Sequence, residues 1–396
     1  MQPLSDPSPQ RPLPTLPSTP LHLHTDMASH GTSPCSAGRL LCLAVFLRGG
    51  MSCTSFVGGL VAALAPTPLP SSSGEMDGTA GKAGPPPVLR RWTIKEVDGG
   101  MAPNATGDPL SFDFTPTGDP QVAYTAAFEL PHQYKFASRG SDGKTWSVEV
   151  FDTYQDRYGT FFAGVSLATD RQGRPHVAYT KDFANTTDQW GQLLYAVKQS
   201  DKWSIMHVDD SDHAEWASLV LDATSMPHIA FYAGAPARDL RYATRTTNGT
   251  WTVTTVDNGW SGYYPALAVD SHGFPHIAYF TEASPVPFSA KYASFDGKVW
   301  TSTLLPFHSP VGYGMSLALD AQNEPHLAFT NNTFNQSLYY ARRTGTEWTL
   351  ETVADACRAS GTSLALDTNG NPHITYTFST SDASGPGDHR YADTLS

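Results

Sequence analysis

Short runs of apolar and polar residues alternate along this chain, and they return in the same order about every fifty residues. A small apolar strand ending in Asp, a four-residue turn and then Pro-His-aliphatic-small-aromatic reads SLATDRQGRPHVAY at 166–179 and SLVLDATSMPHIAF at 218–231. The phrase continues as ALAVDSHGFPHIAY at 266–279, SLALDAQNEPHLAF at 316–329 and SLALDTNGNPHITY at 363–376, with a degraded copy, SFDFTPTGDPQVAY, at 111–124. Each period predicts four strands, for example Ser218–Asp222, Pro227–Ala233, Leu240–Arg245 and Thr250–Val256. The third strand carries Tyr-Ala (Tyr195-Ala196, Tyr242-Ala243, Tyr292-Ala293, Tyr340-Ala341, Tyr391-Ala392), and the fourth opens on Trp146, Trp203, Trp251, Trp300 or Trp348. The pattern predicts an all-β fold, a six-bladed β-propeller with four antiparallel strands per blade. The last unit stops before a Trp strand, whereas Trp92–Val97 is a Trp strand with no unit before it. The N-terminal strand 91–97 is therefore expected to close the ring by completing the last blade beside 389–393, removing exposed sheet edges.

On this repeated phrase the chain resembles six-bladed propellers of the NHL-repeat type and, more loosely, the sialidase-like BNR-repeat group, over about 91–396. It departs from both. The sialidase Asp-box has Ser-x-Asp-x-Gly-x-Thr-Trp, while Ser141-Asp142-Gly143-Lys144-Thr145-Trp146 and Phe295-Asp296-Gly297-Lys298-Val299-Trp300 are contracted. NHL repeats place an acidic residue after the second strand, where this chain has Thr180, Tyr232, Phe280 or Thr330. The sialidase resemblance implies an arginine cluster that grips a carboxylate, for which Arg157, Arg238 and Arg358 are the candidates.

Composition narrows the partners. The 396 residues carry a net charge of −12 with pI near 5.5 and no Lys/Arg cluster, which argues against nucleic acid and anionic membrane surfaces. Residues 1–34 are rich in Pro, Ser, Thr and His, a disordered composition. The apolar stretches Leu40–Leu47 and Phe56–Ala65 are too short for a membrane span. Ala63-Leu64-Ala65 before Pro66, with Arg48 upstream, suits signal-peptide cleavage, with Met27 or Met51 as alternative starts. The expected organisation is a leader over 1–65, a Pro/Ser/Gly-rich linker over 66–90 and the propeller over 91–396, in a secreted or periplasmic monomer. Cys35, Cys42 and Cys53 fall in the leader, so Cys357 would stand alone and packing would hold the fold.

The repeated histidines His176, His228, His276, His326 and His373 open second strands, away from the channel, at a radius too wide for one metal ion. They are expected to pack and hydrogen-bond between blades; no metal or cofactor is expected. Asp170, Asp222, Asp270, Asp320 and Asp367 are expected to accept backbone N–H bonds in their turns. Function is expected where the repeats disagree, on the face bearing the second-to-third-strand and inter-blade connections. That face supplies candidate catalytic residues Tyr158, Asp212, His213 and Glu215, and candidate binding residues Arg157, Trp216, Arg238, Trp260, Tyr263, Tyr264, Tyr313 and Arg358. Rings interleaved with carboxylates and arginines suit sugars, whose flat faces stack and whose hydroxyls take bidentate partners. The leading expectation is one asymmetric site engaging a glycan, glycoconjugate or extracellular polymer. Alternatives are a glycoside hydrolase or polysaccharide lyase at that site, a non-catalytic protein-binding platform, and a calcium-dependent hydrolase using Asp209-Asp210-Ser211-Asp212.

Overall fold

Runs rich in Val, Ile, Tyr and Ala need apolar partners on both faces, and the chain supplies them by stacking sheet on sheet. The computed structural model describes residues 51–53, 60–64, 93–98, 110–126, 131–140, 142–154, 164–184, 189–209, 214–282, 289–307, 311–331, 337–355, 359–378 and 388–393. Six antiparallel sheets follow one another, each running outward from its first strand in chain order. Blade 1 comprises Leu110–Phe114, Pro120–Ala126, His132–Arg139 and Trp146–Tyr154, and blade 2 comprises Val165–Thr169, Pro175–Ala184, Gln189–Gln199 and Lys202–Asp209. Blade 3 is Ala214–Leu221, Pro227–Ala233, Asp239–Arg245 and Trp251–Asp257, and blade 4 is Ser261–Val269, Pro275–Thr281, Ser289–Phe295 and Trp300–Leu304. Blade 5 is Val311–Leu319, Pro325–Asn331, Leu338–Thr344 and Glu347–Ala354, and blade 6 is Ala359–Leu366, Pro372–Phe378 and Asp388–Asp393. The fold is that of an all-β propeller. All six first strands line one cavity of about 1000 Å³, to which Phe114, Leu221, Val269, Leu319 and Leu366 give an apolar lining.

The core is the series of layers between neighbouring blades. Tyr134, Phe136 and Phe151 of blade 1 meet Leu167, Val177 and Tyr179 of blade 2, and Tyr195 and Val208 of blade 2 meet Ile229 and Phe231 of blade 3. The Trp that opens each fourth strand packs against the Tyr-Ala strand of the blade before it: Tyr195–Trp251, Tyr242–Trp300 and Tyr292–Trp348 centroids lie 5.1–5.5 Å apart, edge to face.

A hydroxyl joins the first strands. Ser111, Ser166, Ser218 and Ser316 each accept the backbone N–H of the leucine in the next blade: Leu167, Leu219, Leu267 and Leu364. Blade 4 has Ala266 at this position and so has no hydroxyl to offer. Ser166→Ala strands the buried Leu219 N–H and is expected to cost about 1–2 kcal/mol. Calorimetry should show a lower melting temperature, and an unchanged one would refute the joint.

The turn aspartates behave as the sequence predicts: Asp170 Oδ1 accepts from Gln172 and Arg174 N–H, and Asp222, Asp270, Asp320 and Asp367 repeat the pattern. The contracted boxes also close their turns, Asp142 accepting from Lys144 and Thr145 N–H, and Asp296 from Lys298 and Val299 N–H. The histidines differ from expectation in one respect: their polar contacts lie within a blade, not between blades. His176 sits between Tyr195 and Asp170, at 3.3 Å from the carboxylate. His228 contacts Tyr242 at 2.5 Å and Asp222 at 3.6 Å, and His326 contacts Tyr340 at 2.5 Å and Asp320 at 3.4 Å. The reason is register. His228 lies opposite Val220 on one side and Thr244 on the other, which leaves Asp and Tyr of its own sheet within reach. The inter-blade step belongs to the tyrosine ring, through its Trp neighbour.

The N-terminal strand also departs from expectation. Thr93–Asp98 pairs with Leu60–Leu64, and its pairing with Asp388–Asp393 is not among the strand pairs of the described residues. The Leu60–Leu64 run pairs along the edge of this strand, with a register shift between Leu60 and Val61. Val97 is nevertheless buried against Val122, Tyr124 and Ala137 of blade 1, as Val208 is against blade 3. Met51–Cys53 adds a fifth strand to the inner edge of blade 1.

Candidate functional site

The face opposite the Asp turns is built differently in blades 3 and 4 from the rest. Two residues before the first-strand serine position stand Gly164, Gly314 and Gly361 in blades 2, 5 and 6, but Trp216 and Tyr264 in blades 3 and 4. After the second-strand aromatic stand Thr180, Thr330 and Thr377, but Tyr232 and Phe280 in blades 3 and 4. In blade 2 the small pair is locked: Gly164 N–H donates to Thr180 Oγ1, and Thr180 N–H to Gly164 O. In blades 3 and 4 the same two positions hold aromatic pairs, Trp216–Tyr232 at 5.5 Å and Tyr264–Phe280 at 6.3 Å between centroids.

The backbone shows why glycine stands there in blades 5 and 6; at Gly164 of blade 2 φ is not positive, and a Cβ would instead lie 3.0–3.4 Å from the backbone of Trp216 and Ala217. The first strands bulge between Glu215 and Ser218 and between Tyr263 and Ala266. At the repeat position Gly314 and Gly361 have φ of +84° and +55°, while Trp216 and Tyr264 hold +50° and +49°. A bulky side chain in this left-handed region costs about 1–2 kcal/mol. Arg238 (+55°) and Trp260 (+64°) are in the same region, so four of the seven non-glycine positive φ values among the described residues fall at this one place.

The rings join into one surface. Trp216 stacks on Tyr264 with centroids 4.3 Å apart and lies 5.5 Å from Tyr263, and Tyr263 stacks on Tyr232 at 4.4 Å. Tyr232 donates to the Tyr263 hydroxyl at 3.1 Å, and Tyr263 donates to Glu282 Oε2 at 3.3 Å. Burial, foremost, pushes both phenols above the ordinary tyrosine pKa; Glu215 adds to the rise at Tyr232, and Tyr232 and Glu282 add to it at Tyr263. Both hydroxyls are thus neutral donors at physiological pH, unsuited to act as phenolate bases. Beside them Trp260 keeps 43% of its surface exposed, with the Arg238 guanidinium 3.5 Å from its ring centroid. Its backbone is tied on both sides: Trp260 N–H donates to Arg238 O, and Glu282 N–H to Trp260 O. Trp260 is thus a large ring with a fixed backbone, part of it open to water and Arg238 lying over it.

Of the residues the sequence singles out, Glu215, Trp216, Arg238, Trp260, Tyr263 and Tyr264 belong to this region. Tyr313 lies in the first strand of blade 5 (Val311–Leu319), and Arg157, Tyr158, Asp212, His213 and Arg358 lie outside the described residues. Tyr232 is a member of this ring cluster that the sequence reading misses. Its signal lies in the comparison of repeats, where an aromatic replaces threonine in adjacent blades. Among the described residues no group of three His, Cys, Asp or Glu is arranged for a metal ion, and no helix is long and apolar enough to cross a membrane.

No family model matches the chain, and no curated protein matches it in sequence. Among solved structures, an ulvan lyase described as a new family of polysaccharide lyase is similar with a TM-score of 0.51 at 14% identity, covering 68% of this chain and 77% of that one. The leech intramolecular trans-sialidase gives 0.46 at 11% identity over 72% and 67%, and the Penicillium chrysogenum α-L-arabinanase 0.46 at 12% over 71% and 92%. At this identity the likeness to the ulvan lyase bears on the fold alone, and none of the three is described as an NHL-repeat protein.

Proposed function

We propose that this protein is a secreted propeller that binds a glycan or glycoconjugate through a single asymmetric site on blades 3 and 4. The observation that carries this reading is the replacement of a glycine–threonine pair by strained aromatic pairs in two adjacent blades. Folding alone does not call for it, since blades 2, 5 and 6 use the small pair. Stacked rings flanked by hydroxyls, carboxylates and a guanidinium are the chemistry by which sugars are held. The ulvan lyase of similar fold is a polysaccharide lyase, which is consistent with the reading without carrying it. Turnover is the second reading, for which Glu282, which accepts from Tyr263, and Glu215, next to Trp216, are the carboxylates at the ring cluster. Hydrolysis needs such a pair.

Export rests on the Ala63-Leu64-Ala65 pattern. Cleavage there would remove the Met51–Cys53 and Leu60–Leu64 strands and leave Thr93–Asp98 without its partner. Ring closure then rests on Val97, which packs on blade 1 as an outermost strand of a preceding blade would. N-terminal sequencing of the mature protein should begin near Pro66. Trp260→Ala is expected to weaken glycan binding at least tenfold in calorimetry with the fold intact. Equal affinity would remove that ring from the site.

A further inference from the structure

We infer that the central cavity binds a small amphipathic amine at its Asp-turn end, the apolar body against blades 3–6 and the ammonium at Asp113. This end of the first strands is opposite the blade 3–4 rings, so the inference does not depend on the glycan reading. Among the described residues the cavity of about 1000 Å³ has two unlike walls. Blades 3 to 6 contribute only apolar residues, from Val220 to Leu366, whereas blades 1 and 2 bring Asp113, Asp170 and Arg171. A space of this size and lining takes a small molecule that is apolar along most of its length and polar at one end.

Asp113 is the exception to the repeat. The other five blades place Ala168, Val220, Ala268, Ala318 or Ala365 at its position. It is not a displaced turn aspartate either, because Thr115 holds that place in blade 1. Its carboxylate accepts the backbone N–H of Phe114 at 2.8 Å and of Thr169 at 2.6 Å, and both donors are neutral. Burial, foremost, raises its pKa above the ordinary carboxylate value, against the lowering by its hydrogen bonds with Phe114 and Thr169. Asp170 in the same wall is held differently, with the Arg174 guanidinium 2.6 Å from its Oδ2. An ammonium would supply Asp113 with the same kind of charge-assisted bond, where partial desolvation strengthens it. Met51–Cys53 pairs along this inner edge at Leu110–Phe112, so Asp113 lies beyond the paired positions. Arg171, in the exposed turn of blade 2, is the cation of the described lining, which makes a carboxylic acid the competing ligand.

The test is calorimetric titration of the full chain with octylamine, octanol and octanoic acid, each below the concentration at which it self-associates. Octylamine is expected to bind about tenfold tighter than the other two. Asp113→Ala writes into blade 1 the residue that blades 2, 4, 5 and 6 carry, and is expected to abolish that advantage while octanol binds as before. Ala318→Phe narrows the cavity from its apolar wall and is expected to weaken octylamine and octanol alike. Octanoic acid binding as tightly as the amine, or no binding by any of the three, overturns the inference. So does an amine preference that survives Asp113→Ala with the fold intact by circular dichroism. Should that variant fail to fold, Asp113→Asn, which keeps the shape and removes the charge, decides the same question.

Discussion

The double variant Trp216→Gly/Tyr232→Thr is expected to lose glycan binding while keeping its fold. It writes into blade 3 the pair that blades 2, 5 and 6 carry. Glycine relieves the left-handed strain at φ +50° by about 1–2 kcal/mol, and threonine offers the hydroxyl that in blade 2 accepts the glycine N–H. These gains offset part of the lost ring packing, so the melting temperature should fall by less than removal of two packed rings would otherwise cause. Binding has no such compensation. Rings at the centre of a site are typically worth about 2 kcal/mol or more, roughly thirtyfold in affinity. Trp203→Ala is the contrasting control: that ring stacks on Phe151 at 4.8 Å and meets Phe136 edge-on at 5.4 Å between blades. Its removal should cost about 3 kcal/mol and leave affinity unchanged. A double variant that binds normally, or that unfolds as badly as Trp203→Ala, would show the aromatic pair to be structural.

The second large effect is acid sensitivity. His176, His228, His276 and His326 are buried, and burial, acting against their aspartate partners, holds each pKa below the ordinary value of about 6.5. The neutral ring suits its surroundings: Nδ1 of each meets a tyrosine hydroxyl, and Nε2 of His176 and His326 lies 3.3 and 3.4 Å from the turn carboxylate. Nε2 of His228 and His276 is buried at 3.6 Å from it, with no hydrogen bond to offset an added charge. The unfolded chain takes up these protons near pH 6.5 and the folded one does not, so this stabilisation is complete above pH 6.5 and falls as pH drops below it. Asp170, Asp222, Asp270 and Asp320 lose stabilisation further down: burial opposes their ionisation, but the backbone N–H bonds of their turns outweigh it and lower their pKa values. Their share is present above about pH 3.8 and lost below it. Denaturation followed from pH 8 to pH 5 should show a steep decline. His228→Gln, which places in blade 3 the residue that blade 1 carries as Gln121, should flatten it. A flat profile in the parent protein would exclude the buried-histidine account.

Much of the site is visible in sequence as disagreement among repeats. The expectation that function sits on the variable face groups Trp216, Trp260, Tyr263 and Tyr264 without knowledge of any distance. Tyr232 escapes that reading because its position invites comparison with another family's acidic residue before comparison with Thr180 and Thr330 of this chain. The bulges are invisible for a different reason. A bulge inserts a residue into a period-two pattern without changing its composition, so the first strand of blade 3, expected at Ser218–Asp222, runs from Ala214 to Leu221.

The repeated phrase by itself determined the strand order, the turn aspartates and the stacking of one sheet upon the next. Each of these depends on residues close in the chain or on a period that recurs, and local chemistry suffices to specify them. Only the tertiary structure decided that Trp216 faces Tyr264 across a blade boundary, that both occupy glycine's backbone region, and that Thr93–Asp98 takes Leu60–Leu64 as its partner. These outcomes depend on which edges and rings meet when sheets from distant segments pack, and no spacing along the chain encodes that.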